Sequence, residues 1–231
     1  LPRHGSEFLN SSAAISPAIL SVPAYGDTSF GAHVFVRPLE GARIGVAVQD
    51  GAFQEGVDTG ARGPRTLFDA PADLFLAAEI SVEAAALRLA AGAWRHTGAF
   101  DRFDGGIDRS THGLYAIAEA ALLDGRVLAF AQLGSADADV SEARLHAGGG
   151  VTLRAPFACR PKDACGIGAT RVWFSPQAGT LHRGETAIEV VYRLQLTESL
   201  AWLLDLQHVI DPYGSGAADA WVVTFRMEVV F

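Results

Sequence analysis

An antiparallel β-barrel set in a lipid bilayer is the fold class that this sequence predicts, on three observations. Apolar residues recur at every second position through long stretches. The connections between those stretches alternate between short and long. The chain is 49% hydrophobic, with a mean hydropathy of +0.21, yet holds no unbroken apolar run long enough for a transmembrane helix. Such a helix needs about 20 apolar residues. The longest uncharged stretch, 9–26, is interrupted by Asn10, by serines and by Pro17 and Pro23.

The last predicted strand is the clearest. From 221 to 231 every odd position is large and apolar (Trp221, Val223, Phe225, Met227, Val229, Phe231), and Thr224, Arg226 and Glu228 lie between them. Successive side chains of a strand point to opposite faces, so this is a strand with one apolar and one mixed face. The pattern repeats over 200–210, where Trp202, Leu204 and Leu206 oppose Leu203, Asp205 and Gln207. It repeats again over 187–196, where Ile188, Val190 and Tyr192 oppose Glu189, Val191 and Arg193.

Upstream, strands are predicted near 28–37, 41–52, 72–81, 84–96, 111–122, 125–134, 144–155 and 164–174, about eleven in all. The connections 38–40, 82–83, 123–124 and 197–199 are short. Those at 51–71, 97–110, 134–142, 175–184 and 211–219 are long, and 156–163 is intermediate. Outer-membrane barrels place short turns on one side and long loops on the other, and strands of about 9–11 residues span the bilayer. Two stretches, 72–95 and 114–126, are rich in Ala, Leu and Glu, which favour helix. Alternation persists within them, with Leu87, Leu89 and Ala91 opposing Arg88, Ala90 and Gly92, so they too are assigned as strands.

A soluble β-sandwich also alternates, but its outer face is polar along every strand. Here the mixed face carries only one or two charges per strand and the other face is apolar over its centre. Trp221 and Phe231 bracket the last strand as interfacial aromatics do. A soluble or periplasmic barrel with an apolar interior, acting as a binding module, is the alternative. A net charge of −8, a single lysine (Lys162) and no basic run argue against nucleic acid. They also argue against a polybasic membrane-surface patch.

The C-terminal half resembles the carbohydrate-selective porins of Gram-negative outer membranes, the OprB-type family. The resemblance rests on Gly113-Leu-Tyr-Ala-Ile-Ala-Glu119; on Phe157 to Arg160, Asp163 and Gly166-Ile-Gly168; and on Glu189-Val-Val-Tyr-Arg193 and Asp205-Leu-Gln-His-Val-Ile-Asp-Pro212. It extends to Asp219 through the terminal Phe231, to Gly92-Ala-Trp94 with Thr97-Gly98 and Phe100, and to Ser6-Glu-Phe8. It implies a single porin domain over 1–231 in the bacterial outer membrane, assembled as a trimer and passing monosaccharides or small oligosaccharides by passive diffusion. Family barrels have about 16 strands, so about eleven implies a chain incomplete at its N-terminal side. His208, where the family tends to have an aromatic, and the two cysteines are departures.

No Gly-x-Ser-x-Gly elbow, His-Glu-x-x-His or phosphate loop is present, so neither an enzyme nor a cofactor is expected. Asp101, Asp104 and Asp108 beside Gly105-Gly106 lack the full calcium-loop pattern. Cys159 and Cys165 are either a candidate disulfide or two free thiols. Sugar hydroxyls need donors and acceptors, and arginines with carboxylates supply both. The mixed faces offer Arg88, Glu119, Gln132, Glu189, Arg193, Asp205, Gln207, Arg226 and Glu228 as pore-lining candidates, with Trp94 and Tyr115 as stacking faces. Glu189 and Arg193 are expected near Asp205 and Gln207. The loop 51–71 is a candidate to fold into the lumen. A barrel plugged for adhesion or export is a further alternative.

Overall fold

The computed structural model describes residues 4–5, 8–19, 30–51 and 73–230. In those residues the strands are β1 (Gly31–Leu39), β2 (Ala42–Asp50), β3 (Leu74–Ala84), β4 (Leu87–His96), β5 (Phe100–Asp101), β6 (Ile107–Asp108) and β7 (Thr111–Leu122). They continue with β8 (Val127–Ala136), β9 (Ala143–Arg154), β10 (Ala164–Phe174), β11 (Gly184–Gln195), β12 (Leu200–Ile210) and β13 (Ala220–Val229). All but β5 and β6 form one antiparallel sheet in the order β1-β2-β3-β4-β7-β8-β9-β10-β11-β12-β13. Each strand pairs with its chain neighbour, and β1 and β13 are the edges of the sheet.

Eleven long strands therefore stand where the alternation puts them. The differences are at their ends. β8 runs on to Ala136 and β11 starts at Gly184, both eating into connections read as long loops. β5 and β6 make a small hairpin inside the 97–110 connection. The parts of the expected strands at 28–29, 52 and 72, most of the 51–71 loop, and Phe231 lie outside the described residues.

The alanine-rich stretches are strands because their ladders are continuous. β4 pairs β3 from Phe75↔His96 to Ala84↔Leu87, and pairs β7 from Leu87↔Ala120 to His96↔Thr111. Paired on both edges, every central backbone group is satisfied between strands, and that outweighs a weak single-residue helix preference.

Odd and even positions separate into two faces from β3 to β12, whereas the edge strand β1 is exposed on both. One face presents exposed Val46, Ile80, Leu114, Ile167, Leu204 and Val223, the last 80% exposed. The opposite face holds buried Glu119, Gln132, Thr152, Glu189 and Asp205. An apolar surface continuous across eleven strands far exceeds the patches of a few hundred Å² that soluble monomers expose. In a bilayer the same surface is correctly solvated, and the ladders leave no central backbone group of the inner strands β2–β12 for lipid to satisfy. Trp221 sits on this face at the long-loop end of β13, stacked on His208 at 4.3 Å between ring centroids.

The intermediate connection between β9 and β10 is tied to β11 by Asp163. Its carboxylate accepts from Arg160 Nε at 2.8 Å, from the Tyr192 hydroxyl at 2.7 Å and from the Gln195 N–H at 3.0 Å. The Arg160 guanidinium holds the Asp163 carboxyl down to about 2. Asp163→Ala removes charge-assisted bonds worth about 2–3 kcal/mol together, so the folded protein is expected to lose its heat-resistant gel mobility at a lower temperature. A carboxyl depressed in the folded state stabilises above its unfolded value of about 4 and ceases to do so as pH falls through its folded value. The gap between parent and variant is therefore expected to shrink from about pH 4 downward and to close below pH 2. A gap unchanged at pH 2 would contradict the tie.

Cys159 and Cys165 stand unbonded, the second of the two alternatives that the sequence leaves open. Cys159 is exposed in the 156–163 connection, whereas Cys165 is anchored in the β10 ladder opposite Leu153 and Tyr192. The polar loop pattern has an equally local explanation. Arg102 ion-pairs with Asp104 at 2.9 Å, Asp108 at 3.3 Å and Asp139 at 3.3 Å, so a guanidinium sits among these carboxylates.

Candidate functional site

The polar face of the sheet carries a segment that its pattern did not announce. Residues 8–19 lie against β8–β12, with a short helix α1 (Ser11–Ala14) followed by a 3-10 turn (Pro17–Ile19). Asn10 caps α1, its side chain accepting from the Ser12 N–H at 3.0 Å. Glu189 of β11 fixes the start of the segment. Its two carboxylate oxygens accept from the Leu9 N–H at 2.6 Å and the Asn10 N–H at 3.1 Å. Asn10 Nδ2 donates to Gln207 Oε1 at 3.1 Å, and Gln207 in turn donates to Asp205 at 2.8 Å. From β8, Gln132 donates to the carbonyls of Ser12 and Ala13 at 2.7 and 2.9 Å.

Packing seals the same contact. Phe8, only 4% exposed, forms a buried cluster with Ala13, Phe130, Val191 and Leu203. Its ring rests where side chains are missing. A Cβ at Gly150 or Gly168 would come within 2.8–2.9 Å of the ring, so these inward positions of β9 and β10 accept Phe8 only as glycine.

The predicted pore-lining residues fall into three groups. Glu189, Asp205 and Gln207 lie together, with Glu189 opposite Gln207 in the ladder, and their polar groups hold the inward segment. Arg88 and Glu119 lie opposite each other on β4 and β7 with Nη1 2.7 Å from Oε2. Glu119 also accepts from the His4 N–H at 3.0 Å, Arg88 is 3.9 Å from Glu79, and the Tyr115 hydroxyl donates to Glu79 at 2.8 Å. Arg193 turns away from Asp205 and Gln207 to Glu228 of β13, at 3.2 Å, and Arg226 pairs with Glu228 too. Trp94 is 3% exposed and packed on Phe75 with centroids 6.2 Å apart, whereas Tyr115 is half-buried beside Gly92.

Sequence reasoning missed Glu79 and the whole of 8–19. A signal that could have pointed there is Gly148, Gly150, Gly166 and Gly168, side-chain-free positions on the inward face of the adjacent strands β9 and β10. The arrangement is chemically a polar sheet face. A packed strap lies across β8–β12, and an arginine–carboxylate–tyrosine network, which donates and accepts hydrogen bonds, lies on β3, β4 and β7.

The family model described as "Carbohydrate-selective porin, OprB family" matches residues 4–231. The chain belongs to that family. Among solved structures, the high-pH structure of Pseudomonas putida OprB is similar in fold, with a TM-score of 0.74 at 16% sequence identity over 89% of this chain. The chain spans 59% of the length of that protein. No curated protein sequence matches. As a member of the OprB family, the chain is an outer-membrane β-sheet protein. Its apolar face is the lipid-facing exterior and its polar face the lumen.

Proposed function

We propose that the protein is a passive diffusion channel for monosaccharides and small oligosaccharides, and that residues 8–19 set its constriction. The observation that carries this reading is the anchored inward segment beside the Arg88–Glu79–Glu119–Tyr115 network. Neutral polyols cross such a gap by exchanging water for paired donors and acceptors, which charged groups in fixed geometry provide. Arg193, Arg226 and Glu228 form a second network toward the short-turn end, where β11–β13 meet. Liposomes containing the purified protein are expected to swell in glucose and far more slowly in a trisaccharide. No glucose-dependent swelling above empty liposomes would end this reading.

The filled inner wall also favours a second reading, a plugged barrel, and single-channel current separates the two. Assembly as a homotrimer is supported by the small outward residues Ala91, Ala93, Ala116, Ala118, Ala129 and Ala131. These give β4, β7 and β8 a flat surface for a second copy. Cross-linking in membranes checks it.

A further inference from the structure

A cavity lies on the polar side of the sheet at the long-loop end, away from the three groups above. It measures about 480 Å³, within the range of small-molecule sites. Its apolar side is Val172 and Phe174 of β10 with Pro17 of the inward segment. Its polar side is Glu142, Glu185 and Tyr213.

Tyr213 holds this cavity in shape. It sits in the connection between β12 and β13 at a left-handed φ of 56°, next to Gly214 at 59° and two residues after Asp211 at 52°. A bulky residue in that region costs on the order of 1 kcal/mol or more and persists only where its surroundings enforce it. Three contacts enforce it here. The ring packs on Phe174 with centroids 5.5 Å apart, the Tyr213 N–H donates to Glu185 at 2.7 Å, and the hydroxyl donates to Glu142. The ring itself stays 56% exposed. Two carboxylates are thereby fixed at either end of a half-exposed aromatic ring, over an apolar floor.

We propose that this cavity is a hexose-binding subsite at the loop-side mouth of the channel, ahead of the constriction. Glu142 and Glu185 accept from sugar hydroxyls on opposite sides of the ring, each keeping a free lone-pair direction after its bond to Tyr213. The C–H face of the ring stacks on Tyr213, which itself rests on the buried Phe174. A site of this kind raises the local sugar concentration before the narrow passage. It rests on the sugar-channel reading but is tested by binding, which does not require transport.

The experiment uses detergent-purified protein carrying ¹³C-labelled tyrosine, titrated with glucose. The chain has four tyrosines, and the Tyr213 resonance is assigned by its loss in Tyr213→Phe. The expected result is a saturable shift of that resonance, with a midpoint moved five- to tenfold higher in Glu142→Gln and in Glu185→Gln. Both are conservative changes outside the buried wall. No shift, or the same midpoint in both variants, overturns the subsite. Titration of Tyr213 without glucose flux through liposomes would remove the channel reading and leave the subsite standing.

Discussion

Glu189→Ala is expected to open the channel. Single-channel conductance should rise about twofold or more, and a trisaccharide excluded by the parent should enter liposomes. The reason is local. Glu189 accepts both the Leu9 and the Asn10 N–H groups, and an ordinary hydrogen bond contributes about 0.5–1.5 kcal/mol. Losing both weakens the seat of residues 8–19 by about 1–3 kcal/mol on that scale, while the ladders of β11 to β10 and β12 are untouched. A second route reaches the same state from the opposite direction. Gly168→Val places a side chain where Phe8 Cε1 lies 2.9 Å from a Cβ, so it expels the ring without altering any polar group. If both variants fold and neither changes conductance, the segment does not restrict the pore.

Arg88→Met is expected to shift the channel toward cations and to lower glucose flux about tenfold, which corresponds to about 1.4 kcal/mol. Arg88 lies 2.7 Å from Glu119 and 3.9 Å from Glu79. The Glu119 side chain is only 2% exposed, and removing one partner of such a pair leaves an uncompensated charge. Glu79 then keeps the Tyr115 hydroxyl and Glu119 the His4 N–H, neither of them a cation, and rings of carboxylates select cations. The reversal potential in a salt gradient reads the charge shift, and liposome swelling reads the sugar. A variant with the parent's reversal potential would place Arg88 outside the conducting path.

Much of the wall was legible in the sequence because a strand's alternation is local. Trp221 to Val229 declares its two faces with no knowledge of its neighbours. Even the alanine-rich β4 and β7 were legible, since their outward positions stay apolar whatever their helix propensity. The lumen was harder to read. Residues 8–19 have no period that betrays a sheet partner, and their anchors lie 119 to 197 residues away in the chain. The pairing of Arg193 with Glu228 skips a strand, crossing from β11 to β13 over the small Ala201 that faces Glu228 in β12. Such a pair follows from the register of two ladders together, which alternation alone does not supply. Glu79 escaped notice because only the β3–β4–β7 ladders place it beside Arg88 and Tyr115.

The measurement that tests the inward segment most directly is a cross-link. A Cβ at Gly134 lies 3.2 Å from Ser16 Cβ, a few tenths of an ångström short of the separation of about 3.5–4.5 Å that a disulfide adopts. Ser16→Cys with Gly134→Cys, in a background where Cys159 and Cys165 are serine, is expected to bond on mild oxidation of outer membranes. Glucose flux should stay within about twofold of the parent, because the bond fastens the segment where it already lies. Thiols that stay free under oxidant, or a bond whose formation abolishes glucose flux, would contradict a constriction built from residues 8–19.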